Sequence, residues 1–241
     1  MSQLAACAIC GTPVRSAFRA PPAELAPDLD LRPGEPTRST LPNWIATCRR
    51  CGASAPNLSS MPDGAGDFVR SAGYKTLRVP GPAMPALRWA YLCERLGRRA
   101  EAAEATLQAA WALDDASQDA AEMRRQAVAL WGEPEGTEDT LRLIDMLRRA
   151  GDFAAAEGRA ATLDGAAQDE NTAVILAFQR ARIAEGDTGR HMISSALRPP
   201  ARRPHVTHGQ DRTHSQDRTR GQGRTRGQEG ASGFWGRLFG R

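Results

Sequence analysis

Four cysteines at two matched spacings are the residues of this chain best equipped for chemistry. Cys7-Ala8-Ile9-Cys10-Gly11 and Cys48-Arg49-Arg50-Cys51-Gly52 are each a Cys-x-x-Cys followed at once by glycine. This is the form of a metal-binding knuckle: two thiolates converge on one ion while amides of the tight turn hydrogen-bond the sulfurs. Glycine after the second cysteine suits the turn because it takes positive φ without a Cβ clash. Two such knuckles supply a closed tetrahedral set, Cys7, Cys10, Cys48 and Cys51, which points to one structural zinc per chain and away from an open catalytic metal. Rubredoxin-type iron uses the same four-thiolate geometry, so spacing alone leaves the metal open. A thioredoxin-like redox pair would open a helix within a βαβ pattern, and neither pair does.

Other chemistry is sparse. His205, His208 and His214 lie near the C-terminus, and His191 reads as a helix-surface residue. That leaves no histidine in the ribbon or the first helices to act as a general base. The acidic pairs Asp114-Asp115 and Glu138-Asp139 fall at expected helix ends, where capping explains them. Cys93 sits mid-helix among apolar neighbours and reads as a buried structural thiol. There is no Walker loop and no glycine fingerprint between a strand and a helix. The chain reads as a non-enzyme.

The elements that must hold the cysteines follow from composition and pattern. In 241 residues, 23 Gly, 16 Pro and a mean hydropathy of -0.49 leave a smaller core than the length implies. From Arg198 to Arg241 ten Arg stand against Asp211, Asp217 and Glu229, so the tail is net +7 and residues 1–197 are net −3 within a total of +4. Lys75 is the one lysine; so arginine-rich a composition beside abundant alanine reads as GC-rich coding before it reads as phosphate binding. Thiols spaced for metal fit a reducing compartment. Leu4-Ala5-Ala6-Cys7 resembles a lipoprotein cleavage site, but six residues hold no apolar h-region. No stretch approaches the ~20 apolar residues of a spanning helix. A cytoplasmic protein without stable membrane insertion is expected.

In chain order, residues 1–62 read as a zinc ribbon whose two hooks flank a Pro-rich insert, Pro21 to Pro42. Thr12 to Phe18 has the partial alternation of a strand. Asp28-Leu29-Asp30 in the insert reads as solvated carboxylates in preference to a second metal site. Trp44 and Ile45 are placed to cover one side of the metal. Residues 63–83 read as a linker, with a short helical turn near Asp67 to Ala72. From Met84 the apolar period becomes helical: Met84 to Gly97, Ala100 to Asp114, Ala116 to Trp131, Thr137 to Ala150 behind a capping-box-like Thr137-Glu138-Asp139-Thr140, Phe153 to Leu163, Asn171 to Glu185, and a short helix within Thr188 to Leu197. The fold class is mainly α with a small N-terminal β zinc ribbon.

Leu143-x-x-x-Leu147-x-x-x-Gly151-Asp152-Phe153-x-x-Ala156 resembles the middle of a tetratricopeptide repeat, where a glycine-aspartate-aromatic turn joins two antiparallel helices. Gly97 and Gly186 hold the corresponding glycine position, and Gly151 to Gly186 is close to the ~34-residue period. Arg99 and Thr188 stand where the repeat has an aromatic, and His191 where it has a small alanine. A four-cysteine ribbon leading into such hairpins over residues 1–197 is similar to a group of bacterial proteins of unknown function. The resemblance implies residues 84–197 as a helical-repeat domain that engages partner proteins.

Residues 198–241 are an Arg-rich, low-complexity tail expected to be disordered. Its end interleaves Phe234, Trp235, Leu238 and Phe239 with arginine, a pattern suited to docking on a protein partner. Weak, non-specific contact with nucleic acid through the tail is a further expectation. The sequence therefore reads as a zinc-binding adaptor with an unidentified protein partner; its competitor is a nucleic-acid-associated protein using the ribbon and the tail.

Overall fold

The computed structural model describes residues 5–77, 81–164 and 169–197. The chain divides into two units, Met1–Arg198 and Pro199–Arg241. All described residues belong to the first, and the Arg-rich tail with its aromatic end lies outside them.

Each cysteine hook sits in a hairpin of minimal length. Strand β1 (Ala5–Ala6) pairs antiparallel with β2 (Pro13–Val14), and β3 (Ala46–Thr47) with β4 (Ser54–Ala55). Thr12 to Phe18 is therefore strand only at Pro13 and Val14, because the partner strand is just as short. Between the hairpins, a 3₁₀ helix over Arg38–Asn43 ends the insert.

The stretch read as a linker holds two short helices, α1 (Ala65–Arg70) and α2 (Ala72–Thr76). Ser71 caps the second by accepting from the Tyr74 amide. Seven more helices follow: α3 (Met84–Arg95), α4 (Arg99–Asp115), α5 (Ala121–Trp131), α6 (Thr137–Arg149), α7 (Phe153–Ala161), α8 (Glu170–Ala184) and α9 (Ile193–Ala196). Sequence neighbours pack from α3 through α7, and α8 then lies against both α6 and α7. One hydrophobic core runs from Cys7, Val14 and Cys48 in the hairpins to Trp111, Leu143 and Met146 in the helices.

The glycine turns have a common geometry. Gly97, Gly151 and Gly186 take φ of 75°, 79° and 65°. At each, the next residue donates back to a carbonyl five positions earlier: Arg98 to Cys93, Asp152 to Leu147, Asp187 to Arg182. This helix stop needs a left-handed residue, and glycine supplies it at least cost. Two helix starts differ from expectation. Ser117 turns the chain at φ 55° and delays α5 to Ala121. The N-cap of α6 is Gly136 without a side-chain cap, and Thr140 bonds back to the Gly136 carbonyl, so the capping box does not form.

The largest departure from the sequence reading is the Pro-rich insert. Asp28 and Asp30 are not solvated: they are 1% and 0% exposed. The insert closes on itself where the Glu24 and Leu25 amides donate to the Glu35 carbonyl, and a Cβ at Gly34 would lie 2.3 Å from the Leu25 oxygen. It is also strapped by the segment entering α9, through Leu29 N to the His191 carbonyl and Ile193 N to the Pro27 carbonyl. Asp30 accepts from Trp111 Nε1 at 2.9 Å, Arg149 Nη1 at 2.8 Å and the Arg32 amide at 3.2 Å, while its carbonyl accepts from Arg142 Nε at 2.9 Å. Asp28 pairs with Arg38 at 2.6 Å. Asp114 and Asp115 are not caps either. At the C-terminal end of α4 they would oppose the helix dipole, and Arg124 and Arg149 on Asp114, with Arg32 on Asp115, hold them there.

The two buried carboxylates of the insert respond oppositely to their surroundings. Burial alone would raise Asp30, but Arg149, Arg124 and the Trp111 N–H hold it below the usual carboxylate range. Burial pushes Asp28 up despite Arg38. A depressed carboxylate stabilises the fold above its unfolded value of ~3.9 and loses that contribution as pH falls through its lower folded value. A raised one is a cost while ionised. Asp30→Asn is therefore expected to destabilise by about 3 kcal/mol at neutral pH and to flatten the acid limb of stability below about pH 4, while Asp28→Asn costs less than Asp30→Asn. Urea unfolding of both variants from pH 7 to pH 3 checks the order; equal losses would refute it.

Candidate metal centre

A Cys-x-x-Cys-Gly turn can place two sulfurs on one side only if its backbone closes tightly. Both hooks close in the same way. Gly11 N donates to the Cys7 carbonyl at 2.8 Å and Gly52 N to the Cys48 carbonyl at 2.9 Å, with φ of 69° and 76° at the two glycines. Cys7 N then donates to the Thr12 carbonyl and Cys48 N to the Ala53 carbonyl. The hairpins are thus two copies of one device, facing each other.

The four sulfurs meet. All lie within 4.8 Å of one another. Cys7 Sγ is 3.8 Å from Cys51 Sγ, and Cys10 Sγ is 3.6 Å from Cys48 Sγ. Both short contacts cross from one hook to the other. A zinc tetrahedron with Zn–S bonds of ~2.3 Å has S–S edges of about 3.8 Å, so these residues fit one ion and leave no ligand position open. Cys7 and Cys48 are buried, and Cys10 and Cys51 are half-buried. The thiols differ before any ion binds: the Thr12 hydroxyl and amide draw Cys10 down to about 6, whereas burial, reinforced by the neighbouring thiols, pushes Cys51 up to about 12. A divalent cation bound here would displace the remaining thiol protons and relieve the crowding of four sulfurs.

The support around the sulfurs comes from residues that sequence reasoning passed over. Tyr74, 2% exposed in α2, donates its hydroxyl to the Gly52 carbonyl at 3.0 Å and accepts from Ser54 N at 3.0 Å. It clamps both sides of the second hook's turn. Tyr91 packs edge-on to its ring and Arg88 lies over its face. The first hook is held by Ala8 N donating to the Leu58 carbonyl at 2.9 Å, and Arg50 reaches the Cys10 carbonyl at 3.5 Å. The only sequence signal for Tyr74 is an aromatic beside a short helix, which does not name a partner twenty residues upstream.

The remaining residues that the sequence singles out have other surroundings. Trp44 serves the seam with the helices: its ring is edge-on to Trp111 at 6.4 Å and its N–H donates to Thr40 Oγ1 at 2.8 Å. Cys93 is fully buried in α3, and burial pushes its thiol up to about 12, consistent with an inert packing role. His191 lies in the loop before α9, bonded to Asp187 at 2.7 Å and edge-on to Phe178, and not on a helix surface. Phe234, Trp235, Leu238 and Phe239 lie outside the described residues. Among the described helices, none is long and apolar enough to cross a membrane.

Cys48→Ser is expected to abolish binding of one divalent ion per chain and to lower the melting temperature by about 10 °C, the size of a 3–5 kcal/mol loss in a chain of this length. Cys93→Ala retains the metal. Tyr74→Phe keeps the stoichiometry but releases the ion to chelator about tenfold faster, since a group that orients the ligand turn has been removed. Metal analysis and chelator kinetics read all three, and retention of metal by Cys48→Ser would overturn the site. No family model, curated protein or solved structure matches the chain, so its own residues carry the functional reading.

Proposed function

We propose that the chain is a non-enzymatic adaptor, built around one structural zinc, whose ribbon and tetratricopeptide-like helices together offer a groove to a partner protein in the cytoplasm. A four-thiolate zinc has no free coordination position for substrate or water, so the ion's role is to fix the hairpins. The observation that carries the reading is a groove of about 390 Å³ between the end of the insert and the first helices. Leu41 and Ile45 form one wall, Pro82, Pro85, Ala86 and Ala112 the other, and Gln108 and Asp115 add polar groups. Apolar walls with a few polar groups suit one or two apolar side chains of an extended peptide. Pro42 beside Leu41, with Pro82 and Pro85 opposite, stiffens both walls and keeps the groove open at little entropic cost.

The test is affinity capture from a nuclease-treated lysate with the zinc-loaded full chain, a chain ending at Leu197, and an Ala112→Arg variant that puts a charged side chain into the groove. A discrete protein is expected to bind the first two and to be lost, by at least about tenfold, from Ala112→Arg at unchanged metal content and helicity. Loss on truncation at Leu197 instead would move the contact to the tail. No discrete protein captured by the full chain, or equal capture by Ala112→Arg, would overturn the adaptor reading.

A further inference from the structure

The arginines of the described residues fall into two populations. Those of the insert and helices are largely neutralised: Arg32, Arg38, Arg124, Arg142, Arg148 and Arg149, among others, each face a carboxylate. Those of the hairpins are not. Residues 5–23 and 36–62 contain no Asp or Glu. Arg15, Arg19, Arg49 and Arg50 are exposed there and make no ion pair with a described residue. A four-thiolate zinc centre carries two negative charges, so the hairpins keep a net positive charge on a body that is otherwise acidic.

A second concavity coincides with this charge. It has a volume of about 410 Å³ and lies between the two hairpins. Pro13, Val14 and Leu58 give it apolar surface, Arg15 borders it from the first hairpin and Arg49 from the second, and no acidic residue lines it. Arg50, beside Arg49, already reaches across to the Cys10 carbonyl. Two arginines thus border the cleft, one from each hairpin, a setting that suits an anion.

We infer that this cleft is a binding site for the phosphodiester backbone of single-stranded nucleic acid, with Arg15 and Arg49 on phosphate and the Pro13, Val14 and Leu58 surface against sugar or base. A concave site with an apolar floor receives a strand whose bases are free, whereas duplex is read by convex elements that enter its grooves. The ten arginines between Arg198 and Arg241 make the same polyanionic ligand class a match for the rest of the chain's positive charge. The site is distinct from the apolar groove proposed for a protein partner, and either can fail without the other.

The test is fluorescence anisotropy of a labelled single-stranded oligonucleotide of about 20 nucleotides with the zinc-loaded full chain over a salt series. Each phosphate contact contributes about −0.7 to the slope of log affinity against log salt. Arg15→Gln/Arg49→Gln is expected to weaken binding about tenfold and to reduce the slope by about 1.4, whatever the tail contributes. Both side chains are exposed, so metal content and helicity stay at wild-type values, and Arg70→Gln, an equally exposed but ion-paired arginine, leaves the slope unchanged. An unaltered slope in the double variant, or no binding at low salt, overturns the site. Displacement of the oligonucleotide by inorganic phosphate at matched ionic strength would mark a site for free phosphate and overturn the nucleic-acid assignment.

Discussion

A carboxylate placed out of reach of water must be met by enough donors to replace its hydration, and Asp30 is the point where this protein satisfies that demand. Its oxygens take an indole N–H from α4, a guanidinium from α6 and the Arg32 amide of its own loop, while its carbonyl takes Arg142. Those bonds hold a proline-rich segment with little apolar surface of its own against the helices. The segment joins the two cysteine hooks, so fixing its middle also limits where its ends can lie. The anchored connection thus adds to the bonds made at the hooks themselves by Tyr74 and Leu58.

The same constraint explains why α6 is buried on nearly all sides despite its charge. From Thr140 to Arg148 every residue of α6 is buried. Arg148, with no exposed surface, is met by Asp145 one turn back and by the carbonyls of Asp187 and Gly189. Arg142 lies over the Trp131 ring at 4.3 Å while bonding Glu104 and the insert. Planar guanidinium groups can bond at the edge and stack on the face at once, which lysine cannot do. The near absence of lysine is thus compatible with this interior, whatever its origin in coding.

The cysteine hooks were legible because their information is local: two thiols, a turn and a glycine sit within five residues, and the geometry follows from that spacing. The helices were legible through apolar period and through Gly97, Gly151 and Gly186, whose positive φ the sequence marks directly. What was not legible is pairing at a distance. Asp30 meets Trp111, Arg142 and Arg149 across 81, 112 and 119 positions, and nothing around Asp28-Leu29-Asp30 distinguishes an anchored loop from a solvated one. Tyr74 was missed for the same reason, since a hydroxyl announces a hydrogen bond and not its partner. Asp114 and Asp115 read as caps because the sequence shows a position at a helix end and not the arginines that face it.

The two concavities differ in what their surroundings leave available. Around the insert and helices, acids and arginines are spent on one another, so the groove at Leu41 and Pro85 has mainly apolar surface to offer and its selectivity must come from shape. Residues 5–23 and 36–62 around the hooks contain no acid, and Arg15, Arg19, Arg49 and Arg50 there are exposed. A buried ion pair costs desolvation that only close partners offset, whereas an exposed arginine without a partner costs little and is attracted to any polyanion within about a Debye length. A metal held by the four cysteines would add rigidity, because hairpins of two-residue strands are marginal on their own. Charge and cleft therefore lie on the same two hairpins that the four cysteines join, so the proposed phosphate site depends on that clasp being closed.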